Sequence, residues 1–140
     1  MTEDEASVAS GLKKELLPLA FVLALQVQGT RFGRPWIALL DSGSTTTWIN
    51  KKALGKDIQG YTVPKVQGTT LAGSFSSKEC VCIEGLSFPE FHPKQKLPKL
   101  GANVFHAECC HDVIIGRDTL RAFKIQLNFD DDINVSDGIS

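Results

Sequence analysis

The feature that most constrains this chain is a short apolar segment that ends at a carboxylate. Residues 36–40 read Trp-Ile-Ala-Leu-Leu, and Asp41, Ser42, Gly43 and Ser44 follow directly. Five consecutive apolar residues predict a buried strand, and Ser-Gly-Ser predicts a tight turn at its end. The sequence thus places an acid at the rim of a core. Taken alone, Asp41 has a simpler interpretation as a turn-starting residue whose side chain bonds the backbone two residues later.

A second apolar segment at residues 113–115 continues as Gly116-Arg117-Asp118-Thr119-Leu120, and a glycine-bearing polar segment lies between the two motifs. Together the motifs resemble the retropepsin-type aspartic proteases of retroviruses and retrotransposons. The resemblance covers roughly residues 19–129. It implies an all-β fold, a small closed β-barrel with one short C-terminal helix and half an active site per chain.

The local patterns agree with an all-β chain, because short strand-like segments recur without the spacing of βαβ units. We expect a strand at residues 45–49, an exposed hairpin at 63–75, a solvated loop at 94–99, a short helix at 117–123 and a closing strand at 125–129. Three regions are predicted: a flexible N-terminal lead-in (1–18), the protease-like domain (19–129) and an acidic polar tail (130–140).

Composition and net charge limit the kinds of partner that the chain is expected to bind. The chain has 140 residues, 42% of them hydrophobic, which suits one globular core. Its formal net charge of −1 offers no basic surface for phosphates, so we expect no nucleic-acid partner. The apolar segment at 16–25 is broken by Pro18 and too short to span a bilayer, and no signal sequence opens the chain. We therefore expect no membrane partner and an intracellular location, in the cytoplasm or within a retroelement particle.

The cysteine and histidine residues give no recognisable metal site. Without a signal sequence, free thiols are the expected state of the four cysteines. A cluster near residue 110 combines thiol and imidazole groups, but its spacing matches none of the common zinc patterns. We expect neither a metal nor another cofactor; the cluster consists of His106, Cys109, Cys110 and His111.

The chemistry implied by the resemblance requires two carboxylates. One carboxylate takes a proton from a bound water while the other, protonated, donates to the scissile carbonyl oxygen. Only one Asp-Ser-Gly occurs in the chain. The separate Asp-Gly pair at 137–138 lies in the polar tail, where no apolar strand precedes it. Asp41 is therefore half a catalytic site, and we expect a symmetric homodimer to bring it beside its twin. The expected substrate is an extended hydrophobic polypeptide, including the chain's own parent polyprotein.

The resemblance also implies roles for other residues. Ser42, Gly43 and Ser44 would complete the active-site turn, Ile114, Ile115 and Gly116 would support the pocket, and Arg117 and Asp118 would be structural. The flap that covers substrate would comprise Gly68, Thr69, Thr70, Leu71, Ala72 and Gly73. Retroviral members often carry an acid where this chain has Thr45, which leaves two options for Arg117: pairing with Asp118, or a solvated guanidinium.

Other functions fit parts of the same pattern. A catalytically silent dimerisation or peptide-binding module of the same fold would keep the flap and groove without turnover. An ATPase phosphate loop at residues 40–46 would need two large α/β lobes, which this chain is too short to form. A phosphodegron at Ser42 would need an exposed segment, and a nucleophilic role for Ser42 would need a histidine base that its local sequence does not supply.

Overall fold

The computed structural model of the chain describes residues 18–108, 111–127 and 133–135. These residues form thirteen strands, a 3-10 turn at Lys51–Ala53 and one α-helix. In chain order the elements are β1 (Leu19–Val22), β2 (Gln26–Val27), β3 (Thr30–Arg31), β4 (Trp36–Leu40), β5 (Trp48–Asn50), β6 (Tyr61–Thr70), β7 (Gly73–Glu84), β8 (Leu86–Phe88), β9 (His92–Leu97), β10 (Leu100–Phe105), β11 (Val113–Ile115), α1 (Arg117–Ala122), β12 (Ile125–Leu127) and β13 (Ile133–Val135).

Nine of the described strands form one sheet in the order β1-β4-β11-β5-β10-β7-β2-β3, with β6 paired to β7. The pairs β4–β11 and β5–β10 are parallel, and the remaining pairs are antiparallel. Two further two-stranded ladders join β8 to β9 and β12 to β13. Because β11 lies between β4 and β5, the two motifs far apart in sequence become neighbours at the sheet centre.

The central strands are buried on both faces, so their alternation divides apolar residues between two clusters. Val113 and Ile115 belong to the main core, together with Ala38, Leu40 and residues of α1 and β8. Ile114, between them in sequence, belongs to a smaller cluster on the other face. The described members of this flap-side cluster are Trp48, Phe105 and Ile114, with Val66, Ala72, Phe75 and Ala107 packed against them.

The expectation of a closed barrel is wrong for the described residues, because the sheet stays open between β1 and β3. An isolated bridge at Leu23 and Ser87, with backbone hydrogen bonds of 3.0 and 2.8 Å, brings the edge near β8 without extending into a ladder. The physical reason is that the N-terminal strand breaks at residues 23–25, so β1 pairs with β4 while β2 pairs with β7.

Two local expectations are also wrong. The strand predicted at 45–49 begins only at Trp48, because residues 44–47 form a turn: the Ser44 hydroxyl bonds within it, and the hydroxyl groups of Thr45 and Thr47 bond to residues of α1. The loop predicted at 94–99 is largely strand β9, which pairs with β8 and leaves Lys94, Gln95 and Lys96 exposed. A strand with so few buried side chains shows no clear alternation in sequence.

The predicted helix and flap hairpin are present. Helix α1 covers residues 117–122, and the hairpin of β6 and β7 is longer than the predicted 63–75. The predicted closing strand is present as β12 over residues 125–127. Residues 128–129, the predicted lead-in up to residue 17 and most of the predicted tail lie outside the described residues. None of the helices in the described part of the chain has the length and apolarity to cross a membrane.

Candidate active site

Asp41 lies where the sequence analysis placed it, directly after the buried strand β4. Its backbone N–H donates a 2.9 Å hydrogen bond to the carbonyl of Ile115, so the parallel pairing of β4 and β11 continues to the aspartate. The residue is 2% exposed. The backbone of Asp41 is therefore fixed by the neighbouring strand as well as by its own.

The turn that follows Asp41 is closed by its own hydrogen bonds. The N–H of Gly43 donates to Oδ1 of Asp41 at 2.9 Å, and the N–H of Ser44 donates to the Asp41 carbonyl at 3.1 Å. The Ser44 hydroxyl donates to the carbonyl of Thr46 at 2.7 Å. Asp41 does act as a turn-starting residue, but the turn uses only Oδ1. The second carboxylate oxygen, Oδ2, faces the flap hairpin.

Gly116 locks this turn against the start of α1. A Cβ atom at Gly116 would lie 2.1 Å from the Thr46 carbonyl oxygen and 2.9 Å from that of Ser44. Because both obstacles are backbone atoms, no side chain fits there. The Gly116 N–H donates to Thr47 Oγ1 at 3.1 Å, and the Arg117 N–H donates to the Ser44 carbonyl at 2.8 Å.

The Thr47 hydroxyl group joins the same loop to α1. Its Oγ1 donates to Oδ1 of Asp118 at 2.7 Å and lies 2.8 Å from the hydroxyl oxygen of Thr119. Asp118 also accepts the N–H of Thr119 at 2.6 Å. Asp118 therefore accepts hydrogen bonds from the Thr47 hydroxyl and from a backbone N–H in the first turn of α1. The structure gives no contact between Asp118 and the Arg117 guanidinium.

The Arg117 guanidinium contacts the active-site turn directly. It donates to the Ser42 carbonyl at 3.4 Å and to the Thr45 hydroxyl at 3.2 Å. Thr45 thus accepts a hydrogen bond at the position where retroviral sequences often carry an acid. The contact is exposed and lacks an opposite charge, so we expect it to position the turn with little effect on stability.

The tip of the flap hairpin closes onto Asp41. The backbone N–H of Leu71 donates to Oδ2 of Asp41 at 2.7 Å, while the Leu71 side chain is 59% exposed. Thr70 shapes the tip, because its hydroxyl donates to the Gly73 carbonyl at 2.8 Å and accepts the Ala72 N–H at 3.0 Å. Gly73 has φ of +130°, which favours glycine. Both Asp41 oxygens are therefore hydrogen-bonded within one chain.

Of the two isoleucines predicted to support the pocket, the structure places Ile114 toward the flap. Ile114 packs with Trp48 and Phe105 in the flap-side cluster, whereas Ile115 lies in the main core. Residues 68–73 form the flap tip, with Gly68 lying directly over the Trp48 ring. Sequence analysis missed Trp48 and Phe105 as site neighbours. The available signal was the position of Trp48, a large aromatic residue soon after the active-site turn.

Comparisons with known proteins indicate the fold of this chain. No family model and no curated protein matches this sequence. Among solved structures, the retroviral protease-like domain of Ddi1 from Leishmania major aligns with a TM-score of 0.51 and 14% identity, over 86% of this chain and 89% of that chain. The fold is retropepsin-like. A Legionella pneumophila protein of unknown function aligns at a TM-score of 0.46 and 15% identity, over 76% of this chain and 85% of that chain.

The root of the hairpin in this retropepsin-like fold carries a charged contact. Lys51 Nζ lies 3.1 Å from Oε2 of Glu79, which also accepts the Gly60 N–H at 2.9 Å. Burial by itself raises the pKa of Glu79, but the hydrogen bonds from Gly60 and Lys51 and the nearby positive charges outweigh it, so its pKa is lowered. The ionised carboxylate of Glu79 therefore holds β7 to the Lys51–Ala53 turn.

The described part of this retropepsin-like fold contains no group of three or more potential metal ligands. Cys80 and Cys82 are free thiols. A hydrogen bond with Cys80, together with the negative charge that its thiolate form would carry, raises the pKa of Tyr61. Cys109 and Cys110, which prompted the question of zinc binding, lie outside the described residues.

Proposed function

We propose that this chain is one half of an aspartic endopeptidase of the retroviral or retrotransposon type. The observation that carries the proposal is the placement of Asp41: a carboxylate only 2% exposed, at the end of a central strand, under the tip of a hairpin. A retropepsin-like fold supports the same interpretation. An ordinary structural aspartate would not need a turn braced by β11, Gly116 and α1.

The reaction needs a second carboxylate, and a second copy of the chain is its proposed source. In an isologous dimer, identical residues near the twofold axis face each other, so Asp41 would meet its twin. Two carboxylates about 3 Å apart share one proton, because two negative charges at that distance repel each other and only one of the groups ionises easily. The ionised member would take a proton from a trapped water, and the protonated member would donate to the scissile carbonyl oxygen.

The flap tip has to move for this chemistry to occur. In the single chain, the Leu71 N–H holds Oδ2 of Asp41, the oxygen not used by the turn. A water and a twin carboxylate need access to that oxygen. We therefore propose that substrate binding to the dimer withdraws the tip from Asp41 and exposes the flap-side cluster. The single chain is then a capped, inactive form.

The proposed substrate is an extended peptide between the flap and the floor of the sheet. Such peptides bind through main-chain hydrogen bonds, and alternate side chains enter pockets. The flap-side cluster is apolar, which favours hydrophobic segments such as those of a polyprotein, including the parent polyprotein of this chain. An intracellular setting, in the cytoplasm or a retroelement particle, belongs to the same proposal.

A second candidate is a catalytically silent dimerisation or peptide-binding module of the same fold. The observation that favours it is the full hydrogen bonding of Asp41, which leaves neither carboxylate oxygen free for a water. In this alternative the flap tip stays on Asp41, and peptides bind without being cleaved.

Cleavage of an apolar peptide library at mildly acidic pH, where a carboxylate pair holds one proton, separates the two candidates. For the protease, Asp41→Asn lowers the rate roughly 10²–10⁴-fold, the contribution typical of acid–base catalysis. The control Asp57→Asn changes an exposed carboxylate and should leave the rate unchanged. Equal cleavage rates for wild type and Asp41→Asn would contradict a protease that uses Asp41. Binding without any cleavage by concentrated wild type would favour the silent module.

A further inference from the structure

The charged residues of this chain are divided unevenly along the sequence. The residues that the structure describes include thirteen lysines and arginines but only eight aspartates and glutamates. The remaining residues hold two lysines and eight acids, among them the three consecutive aspartates at 130–132. The formal net charge of −1 for the whole chain therefore conceals a basic described part and acidic segments beside it.

Most of the described cations have no carboxylate partner in the structure. Lys51 and Glu79 form the one ion pair between described residues. Three other acids, Asp41, Asp112 and Asp118, accept hydrogen bonds from backbone N–H or hydroxyl groups instead of from lysines. The described part of the chain thus presents an excess of positive charge to a partner of opposite charge.

Part of this excess charge lines a groove on the flap hairpin. The groove has a volume of about 490 Å³, within the range of roughly 300–1,000 Å³ that is typical of ligand sites. Lys65 of β6 and Lys78 of β7 are exposed and line it from the two strands of the hairpin, so we call it the lysine groove. Its other described lining residues are Thr62, Ser76, Ser77, Glu79, Val104 and His106.

Glu79 is the single acid among the described residues that line the lysine groove, and its charge is already compensated. Its Oε2 lies 3.1 Å from Nζ of Lys51 and accepts the Gly60 N–H at 2.9 Å. Neither of these two partners lines the groove. The carboxylate of Glu79 therefore does not neutralise Lys65 or Lys78, and the groove keeps their positive charge.

The other polar side chains of the lysine groove offer mainly donors to a ligand. An ammonium group has three N–H donors and no acceptor, and a hydroxyl group adds a donor of its own. The Ser77 hydroxyl is not available, since it donates to the Glu79 carbonyl at 2.8 Å and accepts the Glu79 N–H at 3.0 Å. Four side chains form no hydrogen bond or ion pair with described residues: Thr62, Lys65, Ser76 and Lys78. Two cations and two free hydroxyl groups favour a ligand that carries several anionic oxygens.

We infer that the lysine groove binds an acidic segment of a polypeptide, whose carboxylates pair with Lys65 and Lys78. A nucleic acid is the less suitable ligand, because its continuous line of phosphates calls for a longer basic stripe than two lysines. The chain itself contains polypeptide of the required charge at residues 130–132, which a second copy would present. Binding at this groove uses no group of the Asp41 site, so the inference goes beyond the proposed cleavage.

Fluorescence anisotropy with the purified full chain tests the inference. The probe is a labelled glycine–serine peptide with three consecutive aspartates, and its control peptide carries asparagine at the same positions. At low ionic strength the acidic peptide should bind at least about fivefold more tightly, because exposed charge pairs are individually weak and screened by salt. The double variant Lys65→Gln/Lys78→Gln should lose most of this preference. The control Lys94→Gln/Lys96→Gln removes the same charge from exposed positions on β9 and should keep it.

An NMR titration with the same acidic peptide locates the binding site. The amide resonances of Ser76, Lys78 and His106 should shift, while those of Lys94 and Lys96 should not. Equal affinity for the two peptides, or equal losses in the two double variants, would overturn the inference, since the attraction would then be absent or a property of the net charge. Tighter binding of a single-stranded oligonucleotide that depends on Lys65 and Lys78 would assign the groove to phosphates and also overturn it. None of these measurements involves cleavage, so failure of the proposed protease would leave the inference standing, and the reverse.

Discussion

The backbone N–H of Leu71 donates a 2.7 Å hydrogen bond to Oδ2 of Asp41, a residue 30 positions earlier in the chain. The contact joins the tip of an exposed hairpin to a carboxylate that is itself buried. It makes the flap part of the site even without a ligand. It also means that a single chain caps its own aspartate; under the proposed function, a second chain has to join and the flap tip has to leave Asp41 before peptide cleavage.

Removal of the acceptor should free the flap tip. In Asp41→Ala, the Leu71 amide loses a hydrogen bond to a charged group, which contributes about 1.5–3 kcal/mol. Amide hydrogen exchange at Leu71, measured by NMR, should become at least about tenfold faster than in wild type. Asp57→Ala, which truncates an exposed carboxylate, should leave the exchange rate unchanged. An equally protected Leu71 amide in Asp41→Ala would show that the contact does not form in solution.

Gly116 should tolerate no side chain. A Cβ atom at this position would meet backbone oxygens of Ser44 and Thr46, so Gly116→Ala has to displace the active-site turn. We expect a loss of about 3 kcal/mol in the free energy of unfolding, measured with urea. Gly33→Ala is the matched control, because a Cβ there meets no atom within 4 Å, and its effect should stay within about 0.5 kcal/mol. Similar losses for the two variants would contradict the described packing.

Glu79 should contribute stability at neutral pH and lose it in acid. Its pKa in the folded chain is below the ordinary value of 4.5, so the ionised form is the one stabilised by folding. The contribution is therefore present above that ordinary value and disappears as pH falls through the lowered one. Glu79→Gln should cost about 0.5 kcal/mol at pH 7, as for other partly exposed pairs.

Urea unfolding of wild type and Glu79→Gln from neutral pH to below the ordinary pKa of glutamate checks this sign. Glu108→Gln is the control, since that carboxylate forms no ion pair among the described residues. The free energies of unfolding of wild type and Glu79→Gln should become equal at the acid end of the pH range. A difference that grows as the pH falls would mean that burial, not the Lys51 and Gly60 contacts, sets the protonation of Glu79.

The sequence predicted those parts of the site that depend on neighbouring residues. An apolar segment that runs into an acid and a glycine turn locates Asp41, and the motif at residues 113–120 locates β11 and α1. The loop at residues 45–47 could not be predicted in the same way, because Thr47 bonds to Asp118 and Thr119, which lie 71 and 72 positions later. The same limit applies to Thr45, whose hydroxyl takes the place of an acid beside Arg117.

Features set by the whole sheet were not available from local patterns. Closure of a barrel depends on how the two edges meet, and here the break at residues 23–25 sends β1 and β2 to different partners. In strand β9 residues 93–96 are all exposed, so no alternation of buried and exposed side chains marks this part of the strand in the sequence. The position of Trp48 under Gly68 depends on flap packing, so a residue that looks like ordinary strand core lies beside the site.

The most direct test of the shared site mixes wild type with Asp41→Asn and measures peptide cleavage. If each active site takes one Asp41 from each of two chains, mixed dimers carry a single carboxylate and are inactive. An equimolar mixture, at concentrations where chains are fully paired and exchange freely, should retain about half the activity per wild-type chain, since about half of the wild-type chains pair with the variant. Activity per wild-type chain that is unaffected by the variant would contradict a site shared between two chains.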